Sequence, residues 1–235
     1  MTSAITMTPE VQATGSSMKQ IVLASALGTA VEWYDFFLYG TAAVLVFNKL
    51  FFPTFDPVVG TIAALGSYAV GFVARPVGGA IFGHFGDRVG RKSMLTLTMM
   101  IMGSGTFLIG CLPTYQQIGI AAPILLTLFR LLQGIGIGGE WGGAVLMVIE
   151  NSHQDRRGLF GSLVQIGAPA GLVLSTLAFS AVSKLPEAQF LSWGWRIPFL
   201  ISFVLVFLGL FIRMRLNDTP AFREGVRARS ARPIF

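Results

Sequence analysis

The chain has 235 residues, 53% of them hydrophobic and 12% charged, and its 28 glycines bring the apolar-plus-glycine share to about 65%, where a soluble domain sits near about 45–50% with about 25% charge. That balance excludes an ordinary soluble fold and a disordered chain, and a single cysteine, Cys111, excludes an internal disulfide scaffold. The formal charge of +6 is spread in short basic runs between long apolar stretches, which speaks against a nucleic-acid footprint and leaves the membrane class.

Residues 1–17 are polar, rich in Ser and Thr, and hold no lysine or arginine. They lack the basic start of a signal peptide and are expected to form a disordered cytoplasmic tail. Apolar spans then follow at about Ile21–Phe47, Val58–Phe82, Ser93–Leu112, Ile118–Ile149, Leu159–Val182 and Trp195–Ile212. A helix needs about 20 residues to cross a hydrocarbon layer about 30 Å thick, and backbone groups in lipid must be satisfied internally, so all six spans are predicted helices. The fourth is long enough to require tilt or overhang, with a possible break at Pro123. The joining segments, Phe52–Pro57, Gly83–Lys92, Leu112–Gln117, Asn151–Gly158 and Ser183–Gly194, are too short for a soluble domain.

Lysine and arginine set the expected orientation. With the N-terminus inside, the inner segments carry Lys19, Arg88, Arg91, Lys92, Arg156, Arg157 and the arginines from Arg213 to Arg232, and the outer borders carry only Lys49, Lys184 and Arg196. Both termini are therefore expected in the cytoplasm.

Ionised groups inside a bilayer are expensive unless paired or facing water. Glu32, Asp35, Arg75, Arg130 and Glu140 all fall in or near spans. Glu32 and Asp35 are three apart and are expected to share a helix face, where two close acids raise the affinity of at least one for a proton. Two compatible readings stand: a proton-coupling site, or static ion pairs to Arg75 or Arg130 that pin the bundle. Arg130 has the further option of binding an anionic substrate. The aromatic cluster Trp33, Tyr34, Phe36, Phe37 and Tyr39 is read either as a cavity wall suited to a cationic or amphipathic ligand or as lipid-facing packing. Gly134, Gly136, Gly138 and Gly139 permit close helix packing. Their spacing imitates a dinucleotide fingerprint but lacks the strand that motif needs. Pro76 and Pro169 are candidate bends. His84, His153 and Cys111 show no metal-ligand spacing, and no catalytic constellation is present, so the chain is not read as an enzyme.

The segment Gly83-His84-Phe85-Gly86-Asp87-Arg88-Val89-Gly90-Arg91-Lys92 resembles the signature between helices two and three of the major facilitator superfamily, matching G-x-x-x-D-R-x-G-R-K at every fixed position. Arg130-x-x-Gln133-Gly134-x-Gly136 resembles that family's fourth-helix signature. Gln165-Ile166-Gly167-Ala168-Pro169 lacks the adjacent Gly-Pro pair of the antiporter motif. Glu32-Trp33-Tyr34-Asp35-Phe36-Phe37-Leu38-Tyr39-Gly40, Ala74-Arg75-Pro76-Val77-Gly78-Gly79, Gly134-Ile135-Gly136-Ile137-Gly138-Gly139-Glu140-Trp141-Gly142-Gly143 and Trp193-Gly194-Trp195-Arg196-Ile197-Pro198-Phe199 are similar to the metabolite:proton symporter branch, whose members carry α-ketoglutarate, citrate, shikimate, or proline and betaines.

The resemblance implies an all-α membrane protein: six transmembrane helices forming the N-terminal half-bundle of a major facilitator fold, a 3+3 inverted repeat. It implies residues 18–216 as that domain and 217–235 as the start of a central cytoplasmic loop with a divergent tail, expected from a truncation, frameshift or incomplete record. It implies proton symport of a small polar metabolite in an inner membrane, with no cofactor beyond the proton gradient and no nucleic-acid partner. The partner would be a missing six-helix half or a second copy of the chain, and the alternative is a non-transporting fragment. Glu32, Asp35, Tyr39, Arg75, Arg130 and Glu140 become the candidate coupling and cavity residues. Gly83, Asp87, Arg88, Gly90, Arg91 and Lys92 become the candidate cytoplasmic gate, latched by Asp87 and arginine, with the glycines allowing a tight turn.

Overall fold

The computed structural model describes residues 18–89 and 91–214. Residues 1–17, Gly90 and 215–235, with the side chains of Asp87, Arg91, Lys92, Trp141, Ile212 and Arg213, lie outside the described set. The expected N-terminal tail and central-loop segment therefore fall outside it. Among the described residues there is no strand, and six helices are long and apolar enough to cross a membrane.

Helix α1 spans Met18–Leu50, with a π-helical stretch at Ala43–Phe47. Helix α2 is Pro57–Val89 and α3 is Arg91–Cys111. The polar stretch from Gly83 to Lys92 is thus mostly helix rather than loop: α2 carries on through Gly83 and Gly86. The apolar pattern ends where lipid ends, but a helix keeps its own hydrogen bonds in water and need not stop there. Pro76 lies inside α2.

The α3–α4 connection folds as a single helical turn, Tyr115–Ile118. Thr114 and Gln117 form a capping box, with the Thr114 backbone N–H donating to Gln117 Oε1 at 2.9 Å. Gly119, at φ 59°, ends the turn in a conformation that favours glycine. Helix α4 then runs unbroken over Ala121–Asn151, with Pro123 in its first turn, where a missing N–H costs nothing. Helix α5 follows in two parts, Arg157–Val164 and Gly167–Val182. Pro169 has no N–H to offer the Gln165 carbonyl, and the break falls there; Ala168 bonds that carbonyl instead, at 3.1 Å. A short helix, Glu187–Gln189, and a second π-helical stretch, Phe190–Gly194, lead into α6, Arg196–Met214. The polar segment before α6 is therefore largely helical too.

The two most extensive helix contacts are α2 on α4 and α1 on α5. Exchanging the triplets α1–α3 and α4–α6 maps one of these contacts onto the other, as an inverted repeat requires. Both crossings use glycine against backbone. A methyl at Gly78, Gly134 or Gly138 would overlap the carbonyl of Ile135, Gly71 or Arg75, and one at Gly167 or Gly171 would overlap that of Ala26 or Ala30. In lipid, where apolar burial gives little drive, such close approach is what holds helices together. Gly139 faces a side chain instead, that of Phe82, and Gly136 lies against both Met102 Cγ and the Thr98 carbonyl.

Helix α1 sits in the middle, touching α4, α5 and α6. The aromatic core lies at the end that carries the α1–α2 connection. Trp195 is fully buried there, edge-on to Phe47, Phe51 and Phe199 with ring centroids 5.8, 6.0 and 5.8 Å away. Beside it Arg196 Nη1 donates to the Gly110 and Leu112 carbonyls at 2.7 and 2.8 Å, tying α6 to the C-terminal end of α3.

Candidate functional site

Four helices contribute to one buried polar chain at the centre of the bundle. Asp35 on α1 accepts at both oxygens: Thr106 Oγ1 of α3 donates to Oδ2 at 2.7 Å, and Ser202 Oγ of α6 donates to Oδ1 at 2.6 Å. Gln133 of α4 donates from Nε2 to Thr106 Oγ1 at 2.6 Å, and Arg130 Nη1 donates to Gln133 Oε1 at 3.2 Å. Asp35, Thr106, Arg130, Gln133 and Ser202 are all buried. Arg130 and Asp35 also act on each other electrostatically. The chain places donors from the guanidinium toward the carboxylate, so a buried charge pair is satisfied through neutral groups, as a low-dielectric interior demands.

Small residues make room for it. A methyl on Gly71 would strike the Arg130 side chain, and one on Gly105 would strike Gln133 Cγ.

The aromatic cluster has a use within the protein. The Arg130 guanidinium carbon lies 4.5 Å from the Tyr39 ring centroid, 4.8 Å from Tyr68 and 5.7 Å from Phe36. The Arg75 guanidinium lies 5.0 Å from Phe36 and 4.8 Å from Phe72. These ring faces hold the protein's own cations, which take the place that the ligand reading of Phe36 and Tyr39 reserved for an external cation. Tyr39 is held by Ser67, hydroxyl to hydroxyl at 2.7 Å. Tyr34 points the other way, donating to the Pro198 carbonyl at 2.8 Å.

Glu32 and Asp35, although three apart, serve different neighbours. Glu32 is buried and its charge bears on Arg75 of α2, which is half-buried. The acid whose charge bears on Asp35 is Glu140 of α4, also buried. The fold therefore makes two acid–arginine groupings, Glu32 with Arg75 and Asp35 with Arg130, joined where Phe36 lies under both guanidinium groups.

Of the candidate gate residues, Gly83 lies in α2 and Arg88 is exposed near its end, while Gly90 and the side chains of Asp87, Arg91 and Lys92 lie outside the described set. Two cavities flank α2 and α4. One, of about 550 Å³, is lined by Phe51, Phe52, Phe55, Tyr115, Ile124 and Leu128. The other, of about 270 Å³, lies along Gly79, Gly83, Gly138 and Gly142. Neither touches Asp35 or Arg130. Thr106 and Ser202 carried no sequence signal, and Gln133 carried one only as part of a motif. Among the described residues no group of His, Cys, Asp and Glu is arranged to hold a metal.

Six spanning helices in two interlocked triplets, with charged groups buried between them, define the half-bundle of a major facilitator transporter. The chain belongs to the sugar (and other) transporter family, whose pattern matches residues 21–231. It is 49% identical over 215 residues to the inner membrane metabolite transport protein YhjE of Escherichia coli, covering 91% of this chain and 49% of that protein. It is 50% identical over 210 residues to the Escherichia coli shikimate transporter, covering 89% of this chain and 48% of that one. In fold it is similar to the partially occluded inward open conformation of the xylose transporter XylE from Escherichia coli, with a TM-score of 0.78 at 17% identity, covering 92% of this chain and 53% of that one. The chain spans about half the length of the curated relatives it matches. These relatives are membrane transporters, not enzymes.

Proposed function

We propose that the chain forms the N-terminal half of a proton-coupled carrier for a small organic acid, with Asp35 as the proton site and Arg130 as its counter-charge. The observation that carries this reading is the continuous hydrogen-bond chain from Arg130 through Gln133 and Thr106 to the carboxylate of Asp35. A buried acid tied to a buried arginine across three helices, with Ser202 of a fourth on its other oxygen, gives a proton a place where its arrival changes the forces between helices. Glu32, Arg75 and Glu140 tune the field around that chain, and Tyr39 holds the Arg130 guanidinium.

An organic acid is favoured over a zwitterionic osmolyte. Arg75 is half-buried and its Nε, itself out of contact with solvent, has no hydrogen-bond partner, a donor left for a carboxylate, and the shikimate transporter is a nearer relative, at 50% identity, than the proline/betaine transporter of Escherichia coli, at 44%. The other wall of the substrate path comes from a further six-helix half or a second copy. No cofactor enters the reading; the proton gradient drives transport.

The lysine and arginine bias supports cytoplasmic termini in an inner membrane and puts the α2–α3 connection inside, where Gly83, Asp87, Arg88, Gly90, Arg91 and Lys92 serve as the gate latch.

The test is uptake of labelled shikimate into proteoliposomes holding this chain, alone and assembled with the C-terminal half of the shikimate transporter. An imposed inward proton gradient is expected to accelerate uptake by the assembled carrier. Uptake indifferent to that gradient would remove the coupling.

A further inference from the structure

Thr106 stands at the junction of the buried chain, and its single hydroxyl hydrogen has two acceptors in reach: Asp35 Oδ2 at 2.7 Å and the Met102 carbonyl at 3.1 Å. A hydroxyl oxygen carries one donor and two acceptor lone pairs. One lone pair takes the Gln133 Nε2 hydrogen at 2.6 Å. The other is available.

We propose that Thr106 and Gln133 are positioning residues that report the protonation state of Asp35 to Arg130, the Thr106 hydroxyl turning between Asp35 and Met102. This rests on the proton-coupled reading above.

With Asp35 ionised, every link points toward the anion: Arg130 donates to Gln133, Gln133 to Thr106, Thr106 to Asp35. Aligned donors polarise one another, so the chain is at its strongest. When a proton from water binds Oδ2, the carboxyl becomes a donor at that atom. Its hydrogen goes to the free lone pair of Thr106 Oγ1, and the Thr106 hydrogen turns to the Met102 carbonyl. No hydrogen bond is lost, and the only proton gained is the one on Asp35. The direction of one link has reversed, however. Gln133 now donates to an oxygen that also accepts from Asp35, and the chain no longer runs from cation to anion. Gln133 loosens, and with it the anchor of Arg130 Nη1.

Ser202 provides the contrast. It donates to the other carboxylate oxygen, Oδ1, at 2.6 Å, on the side away from Gln133. The charged and titratable groups acting on Asp35 are Arg130 and Glu140 from α4 and Tyr34 on its own helix, while α3 and α6 present the Thr106 and Ser202 hydroxyls.

Infrared difference spectra of the whole chain in lipid vesicles, recorded across a pH titration, test this. Asp35→Asn identifies the carboxylic-acid band and Gln133→Met the glutamine amide band. The wild-type chain is expected to change both bands with one midpoint. Thr106→Val is expected to abolish the amide change while the carboxyl band still titrates, and Thr106→Ser to restore it; Thr106→Ala replaces the valine variant if that does not assemble. Ser202→Ala is expected to move the carboxyl midpoint and keep the amide change. An amide change of wild-type size in Thr106→Val, or its loss in Ser202→Ala, overturns the switch and leaves proton coupling intact. A titration with no band sensitive to Asp35→Asn overturns both.

Discussion

At the scale of single residues, the site turns on how Asp35 is held: each of its oxygens accepts from a hydroxyl, Thr106 on one side and Ser202 on the other. Asp35 and Arg130 are visible in the sequence because an ionised side chain in an apolar span is an anomaly. Thr106 and Ser202 are not, because hydroxyls in such helices commonly bond their own backbone. Thr29, Thr41, Thr127 and Ser183 each donate to the carbonyl four residues back, and nothing in the sequence separates Thr106 and Ser202 from them. Arg75 and Arg130 were legible as partners for Glu32 and Asp35, but not that Glu32 goes with Arg75 and Asp35 with Arg130 and Glu140, since spacing along one helix says nothing of which neighbour each side chain meets. Asp35→Asn keeps the shape of the site and gives the two hydroxyls an amide to bond. It is expected to leave folding intact and to abolish proton-driven uptake while sparing exchange of substrate across the membrane. Exchange and gradient-driven uptake measured on the same vesicles check it, and loss of both together would make Asp35 structural.

At the scale of helices, six spans were legible because length and hydropathy are direct consequences of bilayer thickness. Their ends were not. Gly83–Lys92 and Ser183–Gly194 read as loops from their polarity, yet most of each is helical, because polarity marks the water boundary and not the end of the hydrogen-bond ladder. The glycine stretch on α4 read as a packing face, but which glycines meet backbone depends on the crossing with α2. Gly138→Ala is expected to cost about 1–3 kcal/mol by overpacking, since its methyl would overlap the Arg75 carbonyl. Gly66→Ala, with open space around its methyl, is expected to be neutral or to gain up to about 1 kcal/mol in helix propensity. Arg196→Ala strips two carbonyls of a charged donor and is expected to cost about 1.5–3 kcal/mol. Thermal unfolding in detergent ranks the three; equal effects of Gly138→Ala and Gly66→Ala would contradict the glycine crossing.

At the scale of the molecule, the repeat of three plus three helices places the α1–α2 and α3–α4 connections at one end and the α2–α3 connection at the other. The single cysteine, Cys111, is exposed at the last turn of α3, and so reports which end faces out. A membrane-impermeant thiol reagent is expected to label it in intact cells; labelling confined to inverted vesicles would reverse the orientation. The most direct test of proton coupling is the internal pH of proteoliposomes that hold the chain assembled with a C-terminal half, followed with a trapped dye while shikimate is added outside. The account predicts that wild-type vesicles acidify inside as substrate enters and that Asp35→Asn vesicles do not. Substrate entry at the wild-type rate with no internal acidification would contradict it.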